Sequence, residues 1–109
     1  MTLAIQKASF FERDYCNQFA WYWEQAGERI AWRFHETLDA TILQLAREPG
    51  VGRLRRFAHP KLHGLQSFPV NRPFNKLIIF YRVEGKTLRL VRLMHGARDL
   101  PRRLAEPPA

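Results

Sequence analysis

The stretch Leu77-Ile78-Ile79-Phe80-Tyr81-Arg82-Val83-Glu84-Gly85-Lys86-Thr87-Leu88-Arg89-Leu90-Val91-Arg92-Leu93-Met94 decides the fold. Two dense runs of β-forming residues, Leu77 to Val83 and Leu88 to Met94, flank Glu84-Gly85. A glycine between two such runs signals a hairpin, because it reaches the backbone conformations that tight turns require. Just upstream, Leu65 to Val70 reads as another strand. Pro69 within it cannot donate to a ladder and so points to an edge position or a bulge. Three consecutive strands predict an antiparallel meander. Gly96 closes the last of them, and Asp99 is suited to cap a short helix or turn around residues 99–104.

Towards the N-terminus the apolar period changes. Phe11, Tyr15, Phe19, Tyr22, Trp23 and Ala26 recur at spacings of three and four. That stripe predicts an amphipathic helix over residues 10–26, with Ser9 and Glu12 as a capping box at its start. Trp23 lies on the stripe and reads as core, whereas Trp21 and Trp32 lie off it and are either exposed anchors for a partner, Trp32 more so than Trp21, or packed against the loop or the opposite helix. After Gly27 a second stripe, Ile30, Phe34, Leu38, Ile42 and Leu45, predicts a helix that ends before Pro49-Gly50. So short a joint implies an antiparallel helical hairpin. Residues 2–8 read as a short first strand with Leu3 and Ile5 on one face. The order is β-α-α-β-β-β, an α+β architecture. The helical hairpin should pack on one face of a small, mainly antiparallel four-stranded sheet. The segment from Gly52 to Gly64 reads as a basic loop. Pattern alone does not say where the first strand joins the sheet.

The 109 residues suit a single domain, 1–109, with residues 104–109 expected as a flexible tail. A hydrophobic fraction of 46% with 13% aromatics excludes a disordered polymer. No run approaches the roughly 18 apolar residues of a membrane span. Met1 to Phe10 lacks the charged start and apolar run of a signal peptide. The lone Cys16 cannot form an internal disulfide. These features predict a cytoplasmic protein without a membrane partner.

The formal net charge of +8 is unevenly spread. Residues 1–51 carry five Lys and Arg against seven Asp and Glu, a balance of −2; residues 52–109 carry thirteen against three, a balance of +10. Such asymmetry points to a polyanionic or acidic partner on the C-terminal half. Arg predominates there, and its guanidinium suits bidentate contacts to phosphate or carboxylate. Arg82, Arg89 and Arg92 sit in the last two strands, and Arg98, Arg102 and Arg103 follow them. On a regular strand, Arg89 and Arg92 would face opposite sides, and a bulge could re-aim one of them. One of the two should join Arg82 on an open sheet face. His95, at the end of the last strand, is either a contact or acid–base group beside Arg98 or a histidine that shapes the Gly96 turn. His59 and His63 have metal-like spacing, but a zinc site needs three or four ligands and no others accompany them. No metal or cofactor is expected.

Three segments then carry a resemblance: Leu65-Gln66-Ser67-Phe68-Pro69-Val70, Ile79-Phe80-Tyr81-Arg82-Val83 and Leu93-Met94-His95-Gly96-Ala97-Arg98-Asp99-Leu100. With the order of elements, they resemble the ParE branch of the ParE/RelE toxin superfamily over about residues 3–104. The His-Gly-x-Arg-Asp sequence after an apolar strand is the most specific piece. The resemblance implies the toxin half of a type II toxin–antitoxin module, neutralised by a cognate antitoxin, ParD-like or other. It also implies DNA gyrase as target. The alternative within the superfamily is a RelE-like, ribosome-dependent mRNA endoribonuclease, for which His95 and Arg98 would be the catalytic candidates. Such members often carry a tyrosine near the C-terminus, and here no Tyr or His follows His95. RNA cleavage needs both a proton acceptor and a proton donor, so this shortage favours the gyrase reading. Arg82, Arg89, Arg92, His95, Arg98, Arg102, Arg103 and Trp32 are the residues expected to bind target or antitoxin.

Overall fold

The structure, a computed structural model, describes residues 2–96 and 100–108, the latter without the side chains of Leu100, Pro101 and Arg103. The deciding stretch forms strands β4 (Leu77–Glu84) and β5 (Thr87–His95), joined through Gly85 at φ 60°. Strand β3 (Gln66–Pro69) lies antiparallel to β4, which completes the expected meander.

The first strand, β1 (Ala4–Lys7), runs parallel to β5, with Ala4 opposite Thr87 and Lys7 opposite Leu90. Parallel neighbours need a long crossover, and the helical hairpin α1 (Ser9–Ala26) and α2 (Glu28–Arg47) begins it. A fifth strand, β2 (Arg53–Leu54), lies inside the segment read as loop and pairs with Gln66 and Ser67. Two residues are too short to show a period, so the sequence could not announce it. The sheet order is β1-β5-β4-β3-β2. Because β2 begins at Arg53, opposite Ser67, Pro69 lies beyond it with no strand on its outer side and breaks no ladder.

A bulge sets the faces of β5. Phe80 pairs with Arg92 and Tyr81 with Leu90, so Val91 is the extra residue. Leu88, Leu90 and Leu93 therefore all meet the helices, while Arg89 and Arg92 share the opposite face. Of the two arrangements open to β5, a regular strand with the arginines on opposite faces or a bulge that re-aims one of them, the structure has the bulge.

The principal core lies between the helices and the sheet: Phe11, Phe34, Leu38 and Leu45 pack against Ile79, Tyr81, Leu88 and Leu90. Each such side chain contributes roughly 1.5–3 kcal/mol on burial. Helix α2 supplies most of the helical share, and α1 buries only Phe11. Trp23 is 43% exposed, which corrects its reading as core. Rings along α1 pack on one another and on α2 instead, as in Tyr22–Phe34 at 5.0 Å and Phe19–Trp32 at 5.1 Å. The capping box also fails. Ala8 is the N-cap, with no side-chain cap bond, and its carbonyl accepts from Glu12 N–H at 3.1 Å.

The second sheet face is not fully open. Leu62, Leu65, Phe80, Met94 and Leu104 form a smaller core there, under the loop and under α3 (Leu100–Ala105). Leu104, expected at the start of a flexible tail, is instead buried. Among the described residues, no helix is long and apolar enough to cross a membrane.

Candidate functional site

The meander brings Arg82 and Arg89 directly opposite each other on the second face. Like charges in that position repel, and each guanidinium turns to its own acceptor. Arg82 Nε donates to the His63 carbonyl at 3.1 Å, and Nη2 donates to the Lys61 carbonyl. Arg89 lies 4.0 Å from Glu84 Oε1. Both arginines stay half-buried, so Arg89 is the one that joins Arg82.

Arg92 is different. It is 3% exposed and makes a two-point ion pair with Asp14 of α1, through Nε at 2.7 Å and Nη2 at 3.1 Å. Its Nη1 donates to the carbonyls of Leu104, at 3.4 Å, and Glu106, at 2.6 Å. A cation so enclosed ties three chain segments together and leaves almost no surface for a partner, a correction to its place among the binding residues. A cleft of about 350 Å³ opens beside it, lined by Asp14, Asn17, Gln18, His95 and Pro107 among others. His95 is exposed at its rim, at the end of β5. Gly96 N–H bonds the Lys76 carbonyl at 3.0 Å, a backbone contact that ties the end of β5 to the start of β4.

Arg102 is exposed and pairs with Glu106 one turn on, at 3.1 Å. Arg98 and Asp99 lie outside the described residues, as does the Arg103 side chain. Trp32 is 47% exposed on the helical hairpin, far in sequence from the arginines of the last two strands, and Trp21 is exposed as well. His59 and His63 flank a 3₁₀ turn, Pro60–Leu62, where His59 Nδ1 accepts from Lys61 N–H at 3.2 Å. Among the described residues no His, Cys, Asp and Glu cluster forms a metal site.

Sequence reasoning missed two polar constellations. Asp14 lies three residues after Phe11, an acid on the inward side of the α1 stripe, and that placement was its only signal. The second is a chain on the outer side of the hairpin. The Tyr15 hydroxyl and His35 Nδ1 share a hydrogen bond of 2.7 Å, and His35 Nε2 lies 3.3 Å from Asp39 Oδ2. Burial first, then the Asp39 carboxylate and Cys16, pushes the Tyr15 phenol above its ordinary 10.0.

The family model described as ParE toxin of type II toxin–antitoxin system, parDE, matches residues 10–100, from α1 to the start of α3. The chain belongs to the ParE toxin family. This ParE chain also resembles solved structures. One is a chromosomal ParDE toxin–antitoxin system from P. aeruginosa, with a TM-score of 0.69 at 16% identity, covering 86% of this chain and 96% of that one. A second is the RelBE2 toxin–antitoxin complex from Mycobacterium tuberculosis, with a TM-score of 0.58 at 20% identity, covering 87% and 99%. A third is a YoeB–YefM complex from Staphylococcus aureus, with a TM-score of 0.51 at 14% identity, covering 89% and 100%. Identities this low speak for the fold alone. No individually curated protein matches the sequence. The ParE fold thus places the arginines of the last two strands on one face and the exposed tryptophans on the helical hairpin.

Proposed function

We propose that this ParE chain is the toxin of an antitoxin-controlled pair and that it stops DNA gyrase by binding, rather than by cutting RNA. The observation that carries the reading is the state of the groups a ribonuclease would use. Arg92 is held by Asp14, and Arg82 by the loop carbonyls. The Tyr81 phenol is buried on the Pro49 carbonyl at 2.7 Å, and burial pushes it above its ordinary 10.0. His95 alone offers an exposed titratable ring at the end of β5. One ring does not supply both the acceptor and the donor that strand cleavage needs. A binding toxin has no such requirement.

The antitoxin partner is supported by family membership and by similar folds found in toxin–antitoxin complexes. Its acidic groups would meet Arg89, Arg98, Arg102 and Arg103, with Trp32 as an apolar anchor. The deciding experiment is a supercoiling assay with purified gyrase and purified chain, run beside translating ribosomes carrying a reporter mRNA. Inhibited supercoiling with intact mRNA is expected. Active gyrase at high molar excess of folded chain overturns the proposal, and mRNA cleavage lost on His95→Ala would put the endoribonuclease in its place.

A further inference from the structure

Between Glu48 and Glu84 the chain carries no carboxylate side chain. The fold collects part of this acid-free stretch around one open groove of about 500 Å³, whose lining includes Leu54, Arg55, Arg56, Phe57 and His63. Leu54 is exposed and Phe57 half-buried, so the groove has an apolar and aromatic component. Arg53, Arg56 and Lys61 are exposed in the same segment. Among the described residues, none of the three takes part in an ion pair.

The surroundings are fixed by other cations. Arg55 Nε donates to Ser67 Oγ at 2.7 Å, and its guanidinium lies 5.9 Å from the centre of the Phe80 ring. Arg82 fastens the far side of the loop through the Lys61 and His63 carbonyls. The wall is therefore shaped before any ligand arrives, while the neighbouring cations remain available.

Exposed cations beside an apolar, aromatic wall match a ligand that carries both phosphates and flat apolar rings. An acidic peptide would satisfy the cations and leave Phe57 and Leu54 unused. A duplex would offer phosphates but keep its base faces stacked inside. A single strand offers both at once. We propose that this groove binds a single-stranded polynucleotide, its phosphates on Arg53, Arg56 and Lys61 and a base against Phe57. The inference stands apart from the gyrase reading, since it concerns what the isolated chain binds.

The test is fluorescence anisotropy with the full chain and labelled oligothymidylate, oligouridylate and duplex DNA, each of about twelve nucleotides, across a salt series. A surface that acts by charge alone favours the duplex, whose charge density is higher. Here the single strands bind at least about fivefold tighter, and the tighter of the two identifies DNA or RNA as the source. The paired change Arg53→Gln with Arg56→Gln weakens single-strand binding about tenfold. It also flattens the log–log salt slope by about 1.4, or about 0.7 for each lost phosphate contact. Phe57→Leu keeps apolar bulk and weakens single-strand binding at least about fivefold, with duplex binding unchanged. The same charge removed from α2, by Arg29→Gln with Arg33→Gln, costs less than about twofold. Duplex binding as tight as single-strand binding, or equal losses in the α2 control, overturns the proposal. Thermal unfolding verifies that each variant folds, and if Phe57→Leu does not, the arginine pair decides.

Discussion

Asp14 and Arg92, 78 residues apart in sequence, meet in a buried ion pair that also closes an open sheet edge. Strand β1 stops opposite Leu90, which leaves the outer edge of β5 without a strand neighbour from Val91 onward. Asp14 Oδ2 accepts the Leu93 N–H at 3.0 Å in its place, so a helix side chain substitutes for a missing strand. The same carboxylate neutralises the guanidinium that holds the Leu104 and Glu106 carbonyls.

Removing one partner strands the other's charge in a dry site. Asp14→Ala is expected to cost about 3–5 kcal/mol in urea unfolding. The paired replacement Asp14→Leu with Arg92→Met removes both charges and should recover most of that loss. Equal losses in the single and the double variant would show that the carboxylate's bond to Leu93 N–H, and not the charge pair, carries the stability.

Gly52 lies against the Tyr81 ring, and a Cβ there would overlap its hydroxyl. Tyr81 Oη in turn donates to Pro49, so the ring fastens the segment that leads into β2. Gly52→Ala should cost about 1–3 kcal/mol by overpacking. Tyr81→Phe should cost about 1 kcal/mol through the lost hydrogen bond. Chemical denaturation of each variant measures both.

Burial raises the Tyr15, Tyr22 and Tyr81 phenols above 10.0; for Tyr22 a hydrogen bond from Gln18, and for Tyr81 one from the Gly52 backbone, offset part of the rise. The folded chain therefore keeps its phenol protons to higher pH than the unfolded chain does. The tyrosine contribution is complete below pH 10 and is lost as pH climbs through the raised values. Urea midpoints measured on either side of pH 10 should fall only on the alkaline side, and Tyr81→Phe should make that fall shallower.

Arg82 is the side chain that pins the loop through residues 61 and 63. Arg82→Ala should leave the sheet intact but speed tryptic cleavage at Arg53, Arg56 or Lys61 about tenfold, because cleavage follows local opening. Mass spectrometry of a proteolysis time course reads this directly.

Trp32 is half exposed, held edge-on by Phe19 at 5.1 Å and His35 at 5.6 Å. A rigid, exposed tryptophan is a typical interface hot spot. Trp32→Ala should weaken binding of a cognate antitoxin by about tenfold or more, read by calorimetry, while thermal stability changes little.

Both helices, their joint at Gly27 and the hairpin at Gly85 were legible because each has a local signature in apolar period or turn chemistry. Strand β2 was not, being two residues long, and neither was Trp23, whose place on the stripe suggested burial. In the same turns of α1 Tyr22 packs on Phe34 and Phe74 while Trp23 stays 43% exposed, a division that the apolar period alone does not show. For the candidate site, the sequence located the arginines of the last two strands but could not assign their roles. Arg89 and Arg92 look equivalent along the chain. Only the extra residue Val91 puts them on one face, and only Asp14 withdraws one of them from the surface.

The sequence by itself determined the α+β class, the antiparallel meander, the helical hairpin, the uneven charge and the family. All of these rest on short-range periodicity, turn residues or composition, which a single strand of text carries. The tertiary structure decided the parallel placement of β1, the second core under the loop and α3, and the division of the arginines into structural and available ones. Those outcomes depend on contacts between residues many positions apart, such as Asp14 with Arg92 and Arg82 with His63. Such contacts are settled by competition for burial and hydrogen-bond partners in three dimensions, which no local pattern encodes.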